Sequence, residues 1–159
     1  MTTIGSYTFN NCQGVATVTI PAGVTSIGNQ AFGWCSDLAQ IYFRGNAPAI
    51  GSDVFVADNN ATAYYLPGAA GWDSFPYSPT ILWNPAVLTG DPTFGVRTNQ
   101  FGFTVSVTNT LVVVVEGCTN LSNPEWQPLQ TNTLTSGSFY FSDPLWTNYP
   151  SRFYRLCMP

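Results

Sequence analysis

The stretch IGNQAFGWCSDL at residues 27–38 decides the fold, because it is one copy of a pattern that recurs every 23 residues. The pair Ile27-Gly28 is preceded by Ile4-Gly5 and followed by Ile50-Gly51 at that spacing. Further columns with the same shift are Phe9, Phe32 and Phe55; Cys12 and Cys35; Val15 and Leu38; and Val18/Ile20, Ile41/Phe43 and Tyr64/Leu66. So many columns in register are hard to obtain by chance, and they indicate an internal repeat.

The repeat predicts a short solenoid of 23-residue coils in a mainly β chain. Each coil is expected to contribute a short strand, at residues 18–20 in the first coil and 41–43 in the second, and a further extended piece at 24–27. A turn of helix around residues 31–32 is expected to close the coil. One coil cannot bury its apolar face, whereas stacked coils share one core. The glycine after each isoleucine is expected to allow a sharp turn.

These columns resemble the BspA-type leucine-rich repeat, most clearly at residues 25–38, and the resemblance covers roughly residues 1–66. It implies a bacterial surface or secreted protein that adheres to hosts, matrices or neighbours, and it brings no catalytic residues. The third coil departs from the pattern after Phe55, where residues 56–60 replace the cysteine segment. We interpret that departure as the end of the stack.

An aromatic-rich stretch follows Leu66 and contains Trp72, Phe75, Tyr77 and Trp83. Because a solenoid needs a cover over its last coil, we expect these rings to form a cap that completes a first domain at residues 1–84. The alternative is a sugar-stacking platform, for which Trp72 and Asp73 are the best candidates.

Residues 85–92 carry two prolines and a glycine and are predicted to be a linker. Beyond them, residues 93–159 are predicted to form a small immunoglobulin- or fibronectin-like β-sandwich. The strands expected there are residues 101–108, 111–116, 138–142 and 152–158. This half also resembles a carboxy-terminal β domain of secreted proteins from Verrucomicrobia-like bacteria, on residues 116–126, 140–149 and 152–155. That resemblance brings no assigned activity.

The four cysteines form two pairs of interest. Cys12 and Cys35 share a column, so they are expected about 5 Å apart, as a buried thiol ladder or, less readily, a disulfide. Cys118 and Cys157 each lie beside a predicted strand. If those two strands are neighbours, a disulfide would link them.

Composition excludes several classes of function. Charged residues make up 8% of the chain, against roughly 25% in ordinary soluble domains. The four basic residues are all arginine, so the chain lacks the cationic cluster that binds nucleic acid or an anionic membrane. Without His or Lys the usual general bases are absent, and most carboxylates are assigned to turns. We therefore predict no enzyme activity, no cofactor, no metal and no membrane insertion.

Two weaker signals involve asparagines. Residues 58–60 could offer oxygens to calcium, although a turn explains them better. Asn60 and Asn120 begin glycosylation sequons. Residues 1–4 lack the features of a signal peptide, and if Met1 is the initiator it argues for the cytoplasm. We favour the alternative, on composition, of an extracellular protein whose leader has been removed.

The repeat begins at Ile4 with no polar cap before it, which exposes an apolar section and strand edges. The run at residues 111–115 is apolar on both alternating faces. The predicted assembly interface is therefore Ile4, Tyr7, Phe9, Val18, Ile20, Leu111, Val113 and Val115. We predict an extracellular structural protein that binds copies of itself head-to-tail into a fibre or surface layer. The alternative is an adhesion or carbohydrate-binding module of a larger secreted bacterial protein, with a glycan or surface protein as its partner.

Overall fold

Strands and turns dominate the computed structural model, which describes residues 1–58, 61–77, 79–108, 110–135 and 137–159. Within those ranges, helix is limited to two 3₁₀ turns, so the prediction of a mainly β chain is confirmed. The chain divides into two units, Met1–Trp83 and Asn84–Pro159. Asn59 and Asn60, of the calcium and sequon predictions, lie outside the described residues.

The first unit is built from short parallel strands. They are β1 (Thr3–Ile4), β2 (Thr17–Ile20), β3 (Ser26–Ile27), β4 (Gln40–Phe43), β5 (Ala49–Ile50), β6 (Thr62–Tyr65) and β7 (Thr80–Leu82), with a 3₁₀ turn at Trp72–Ser74. One sheet has the order β1-β3-β5 and the other has the order β2-β4-β6-β7. Each of the three coils therefore supplies one strand to each sheet.

The strand register confirms the 23-residue repeat over the first two coils. Ile4 pairs with Ile27, and Ile27 pairs with Ile50, in parallel ladders. The phenylalanine column forms a stack of rings, with centroids 5.2 Å apart between Phe9 and Phe32 and 5.6 Å apart between Phe32 and Phe55. Equal spacing in the sequence becomes alignment in space because each coil adds one rung to the same ladders.

The repeat shortens by one residue in the third coil. Ile41 pairs with Ala63 and Phe43 pairs with Tyr65, so the predicted partners Tyr64 and Leu66 were wrong by one position. A one-residue slip turns a strand's side chains to the opposite face. As a result Tyr64 lies beside Tyr42, and their rings stack with centroids 4.9 Å apart.

The predicted turn of helix around residues 31–32 was wrong. Each coil instead carries two residues with left-handed backbone, which no right-handed helix accommodates. The first column is Tyr7, Gln30 and Asp53, and the second is Asn11, Trp34 and Ala57. We call segments 7–11, 30–34 and 53–57 the turn face. Alternate backbone amides of this face donate to carbonyls of the next coil, as Trp34 does to Val56 at 2.7 Å.

The repeated glycine is explained by crowding between coils. A Cβ added at Gly28 would lie 2.5 Å from the backbone nitrogen of Ser6, and one at Gly51 would lie 2.7 Å from that of Asn29. Neither glycine has a positive φ, so the predicted sharp turn is not the reason for them. Glycine here permits the close approach of one coil to the next.

Aromatic rings and β7 follow the third coil. The ring of Trp72 stacks on Tyr65 at 4.8 Å and meets Phe43 edge-on at 4.8 Å. Phe75 packs against both Phe43 and Trp72. Because Trp72 is only 5% exposed, it belongs to the core of this unit.

The second unit consists of two antiparallel sheets. Its strands are β8 (Ala86–Val87), β9 (Gly95–Arg97), β10 (Gln100–Val107), β11 (Leu111–Cys118), β12 (Gln127–Leu134), β13 (Gly137–Asp143) and β14 (Phe153–Cys157), with a 3₁₀ turn at Trp146–Asn148. One sheet has the order β13-β10-β8, with β9 also on β10, and the other has the order β12-β11-β14. Tyr154 of one sheet contacts Phe101, Phe103 and Phe141 of the other, so a core lies between them.

The four strands predicted for this unit are present as β10, β11, β13 and β14. The weakly patterned strand β12 was not predicted. It pairs with β11 at the sheet edge, where Pro128 is tolerated, and Leu129 is skipped in the register. Residues 85–92 are not a free linker, because β8 pairs with β10.

The predicted disulfide between Cys118 and Cys157 was wrong. Their strands are neighbours, but the register pairs Cys118 with Phe153 and Cys157 with Val114. The two cysteines therefore lie four residues apart along the ladder, roughly 13 Å at about 3.3 Å per residue. A disulfide requires Cα atoms within about 7 Å. Both are free thiols, as are Cys12 and Cys35.

A buried ion pair lies within the second unit. The Nε of Arg152 donates to the carboxylate of Asp143 at 3.0 Å, and their side chains are 11% and 6% exposed. The hydroxyl of Tyr154 donates to the same carboxylate at 3.1 Å, and the amide of Leu145 does so at 2.8 Å. Burial and the Asp143 charge raise the pKa of Tyr154 to about 12. Asp143 is thus a buried residue at the end of β13.

Candidate functional site

Five of the eight residues predicted for the assembly interface are buried. Ile4 and Ile20 are 3% and 2% exposed and belong to the core of the first unit. Leu111, Val113 and Val115 are at most 1% exposed, since their side of β11 faces the core of the second unit. A partner cannot reach these five side chains in the folded chain, so they do not form an interface.

The other three interface residues lie at the β2 end of the first unit. Tyr7 is 59% exposed, Phe9 is 40% exposed and Val18 is half-buried. Beside them is a cavity of about 190 Å³. Its lining is Phe9, Cys12, Val15, Val18, Phe32, Cys35 and Leu38, without a charged side chain.

The alternative glycan platform is not available at Trp72. One face of the ring is covered by Tyr65, and Phe43 and Phe75 contact it as well. Its neighbour Asp73 is exposed, but the ring of Trp72 beside it is buried. The sequence could not separate the two interpretations, because both the cap and the platform require aromatic residues.

The exposed tryptophan of the first unit is Trp34. It is 57% exposed on the turn face, with φ of 63°. A bulky side chain at positive φ is an outlier that costs roughly 1–2 kcal/mol. Such outliers cluster at ligand sites, where the surrounding structure imposes them. Two rungs hold this position, because Asn11 donates to Gly33 at 2.8 Å and Trp34 donates to Val56.

Neutral polar side chains occupy the preceding coil next to the position of Trp34. Asn11 occupies the equivalent position in the preceding coil, and its side-chain oxygen accepts a hydrogen bond from Gln13 at 3.2 Å. Asn10 donates to the carbonyl of Gln30 at 3.4 Å. Amides offer both donors and acceptors, while the indole offers a flat apolar face. This part of the turn face therefore combines an aromatic surface with uncharged hydrogen-bonding groups.

Asp58 is a second unusual group in the first unit. It follows Cys12 and Cys35 in the same column, and it is 6% exposed. In the part of the chain that the structure describes, neither carboxylate oxygen makes a hydrogen bond of normal geometry. Burial raises the pKa of Asp58 to about 6, against a smaller opposing effect of the Cys35 backbone amide. Burial, with smaller contributions from the charges of Asp58 and Cys12, raises the pKa of the Cys35 thiol.

The comparisons with known proteins address the repeat. Residues 1–70 match the family model described as the BspA type leucine rich repeat region (6 copies). The first 70 residues are a BspA-type leucine-rich repeat region. This confirms the resemblance inferred from the columns over residues 1–66. No curated protein and no solved structure matches the chain. The origin suggested for the second unit and its likeness to immunoglobulin domains therefore stay predictions.

The BspA-type region belongs to a repeat family of surface- and adhesion-type proteins rather than to an enzyme family. Among the described residues, no helix has the length and apolarity needed to span a membrane. Within the same residues, no group of three or more His, Cys, Asp or Glu side chains is placed to hold a metal ion.

Two residues of the BspA-type region were missed as site candidates, and for different reasons. Trp34 stands inside the repeat motif, but its left-handed backbone and its exposure depend on how the coils stack. Asp58 could have been found from its column, because a carboxylate there replaces a buried cysteine. The acidic, asparagine-rich local sequence instead favoured a turn.

Proposed function

We propose that this chain is a non-catalytic extracellular adhesion module whose BspA-type region binds neutral carbohydrate through the turn face. The observation that carries the proposal is the exposed indole of Trp34, held at φ of 63° among amide side chains. A sugar presents apolar C–H faces and many hydroxyl groups. An aromatic plane beside neutral donors and acceptors complements both features.

Charge supports a neutral ligand. The chain carries a net charge of −4, and its four basic residues include none on the turn face. Anionic glycans are held by Arg and Lys clusters, which this surface lacks. The acceptors and donors around Trp34, such as Asn11 and Gln13, carry no charge. A neutral polysaccharide fits this surface better than an acidic one.

The test separates binding from folding at Trp34. Asn tolerates left-handed backbone and already occupies the equivalent position as Asn11, so Trp34→Asn should leave the free energy of unfolding unchanged or raise it by about 1 kcal/mol. The same variant should bind at least tenfold more weakly to whichever polysaccharide binds the unsubstituted chain. Binding would be measured by depletion onto cellulose, chitin and β-1,3-glucan, and unfolding by urea titration.

Gln30→Asn is the matched control within the turn face, because it also relieves a left-handed position, with φ of 50°, in the same coil but keeps a side-chain amide and removes no aromatic ring. It should bind like the unsubstituted chain. The proposal would fail if Trp34→Asn bound the same polysaccharide as tightly as the unsubstituted chain does. It would also fail if the unsubstituted chain bound none of the three polysaccharides.

Head-to-tail self-assembly is the second candidate. It is favoured by the position of β2 at the end of its sheet and by the charge-free cavity beside it. An added coil could pair with β2 and cover Phe9 and Val15, which are 40% and 38% exposed. A copy of the chain is one source of such a surface.

Val15→Asp tests this candidate, since it places a charge at the proposed contact. If the chain assembles through this edge, sedimentation velocity should show concentration-dependent growth that Val15→Asp reduces at least tenfold. Leu121→Asp, at a 55% exposed site of the second unit, should assemble normally. A chain that stays monomeric at high concentration, or assembly that is indifferent to Val15→Asp, would exclude this mode.

A further inference from the structure

A second cavity, of about 220 Å³, lies in the last coil of the BspA-type region. Its lining is Ile41, Phe55, Asp58, Ala61, Ala63, Tyr77 and Pro79. Ile41 and Ala63 are buried and close the inner end, whereas Pro79 is exposed at the outer end. The cavity therefore joins an apolar interior to the solvent.

The carboxylate of Asp58 lines this cavity, and among the described residues only the Cys35 backbone amide acts on it as a donor. The side chain is only 6% exposed, and among the described residues neither oxygen has a hydrogen bond of normal geometry. Two ionisable groups are nearby, the Tyr77 hydroxyl and the Cys35 thiol. The Tyr77 hydroxyl already accepts the backbone amide of Val54 at 3.0 Å. An unpaired buried carboxylate is costly, so it either takes up a proton or acquires a cationic partner.

The chain supplies no lysine for that role, since its four basic residues are all arginine. The ion pairs of Arg152 with Asp143 and of Arg155 with Glu116 do not include Asp58. No cationic side chain lines the described part of the cavity, so a cation from outside the chain could balance Asp58 there.

We infer that this cavity binds a primary ammonium group carried on a short apolar chain. The ammonium group has three donors, which can meet both Asp58 oxygens and the Tyr77 hydroxyl oxygen. A methylene chain fits the walls formed by Ile41, Phe55 and Ala63. Free alkylamines and lysine side chains share this chemistry. The cavity shares Phe55 with the turn face but does not include Trp34, so either proposal can fail alone.

The direct test is calorimetric titration of the full chain with n-butylammonium chloride at pH 7.5. We expect saturable binding with a Kd of about 1 mM, as suits a ligand of five heavy atoms. Because the pKa of Asp58 is raised to about 6, binding should weaken about tenfold at pH 5, where the carboxyl is mostly protonated. The neutral analogue n-butanol should not bind measurably.

Asp58→Asn should abolish butylammonium binding, whereas Asp53→Asn, an exposed acid of the same coil, should not. The folded-state pKa of Asp58 exceeds the ordinary value of 3.8, so its contribution to stability is full below about pH 4 and is lost as the pH rises through 6. The Asn variant should therefore unfold at a higher temperature than the unsubstituted chain at pH 7.5, and this advantage should shrink towards pH 4. This difference shows that the variant folds.

Several outcomes would overturn the inference: equal binding by Asp58→Asn, equal binding of n-butanol, or no binding of butylammonium by the folded chain. Titration with a short peptide that contains one lysine distinguishes the two possible ligands, lysine side chains and free alkylamines. Binding of both peptide and amine assigns the site to lysine side chains, and binding of the amine alone assigns it to free amines.

Discussion

Replacing Arg152 with Leu should lower the free energy of unfolding of the second unit by about 3 kcal/mol. The substitution leaves the Asp143 carboxylate, which is 6% exposed, without its cationic partner. Removing one member of a buried pair costs about 3–5 kcal/mol. The lower end applies because the Leu145 amide and the Tyr154 hydroxyl still donate to Asp143. Urea denaturation of the full chain, followed by circular dichroism, would measure the loss.

The second unit contains a matched control in Arg155. Its ion pair with Glu116 has the same Nε-to-carboxylate geometry, at 2.6 Å, but the arginine side chain is 46% exposed. Its guanidinium also lies over the ring of Trp126, 4.4 Å from the centroid. Exposed pairs contribute roughly 0–1 kcal/mol, so Arg155→Leu should cost about 1 kcal/mol or less. Equal losses for the two variants would show that burial does not set the difference.

The stacking of the coils could be predicted because spacing in the sequence becomes register in space. The match of Ile4, Ile27 and Ile50 required no knowledge of side-chain detail. The 22-residue step from Ile41 to Ala63 could not be read in the same way. One residue is lost between Asp58, which is still in the column of Cys35, and β6, and the sequence between them has no repeated column to show where.

The candidate sites were less predictable because they depend on orientation and burial. The residues 111–115 are apolar throughout, so the sequence could not show that Leu111, Val113 and Val115 face inward. The cysteines 118 and 157 lie on adjacent strands, as a disulfide would need, but the register that separates them is a tertiary property. The left-handed backbone at positions such as Tyr7 and Trp34 could not be predicted either, because their columns contain no glycine and vary in residue type.

Phe32→Ala should lower the free energy of unfolding of the first unit by about 4 kcal/mol, the largest effect expected in the chain. Phe32 is 2% exposed, and it has a stacked ring on each side in Phe9 and Phe55. Its removal leaves a cavity between two coils whose backbones are tied by hydrogen bonds, such as that from Phe32 to Val54 at 2.9 Å. Truncation of a buried phenylalanine costs roughly 3–5 kcal/mol when the site cannot collapse.

The same column supplies the control. Phe9 is 40% exposed and has a ring on one side only, so Phe9→Ala should cost about 1–2 kcal/mol. In a one-dimensional stack, loss at the centre weakens two interfaces between coils, whereas loss at the end weakens one. A larger loss for Phe9→Ala than for Phe32→Ala would contradict this account, because it would mean that the ends rather than the shared core hold the coils together.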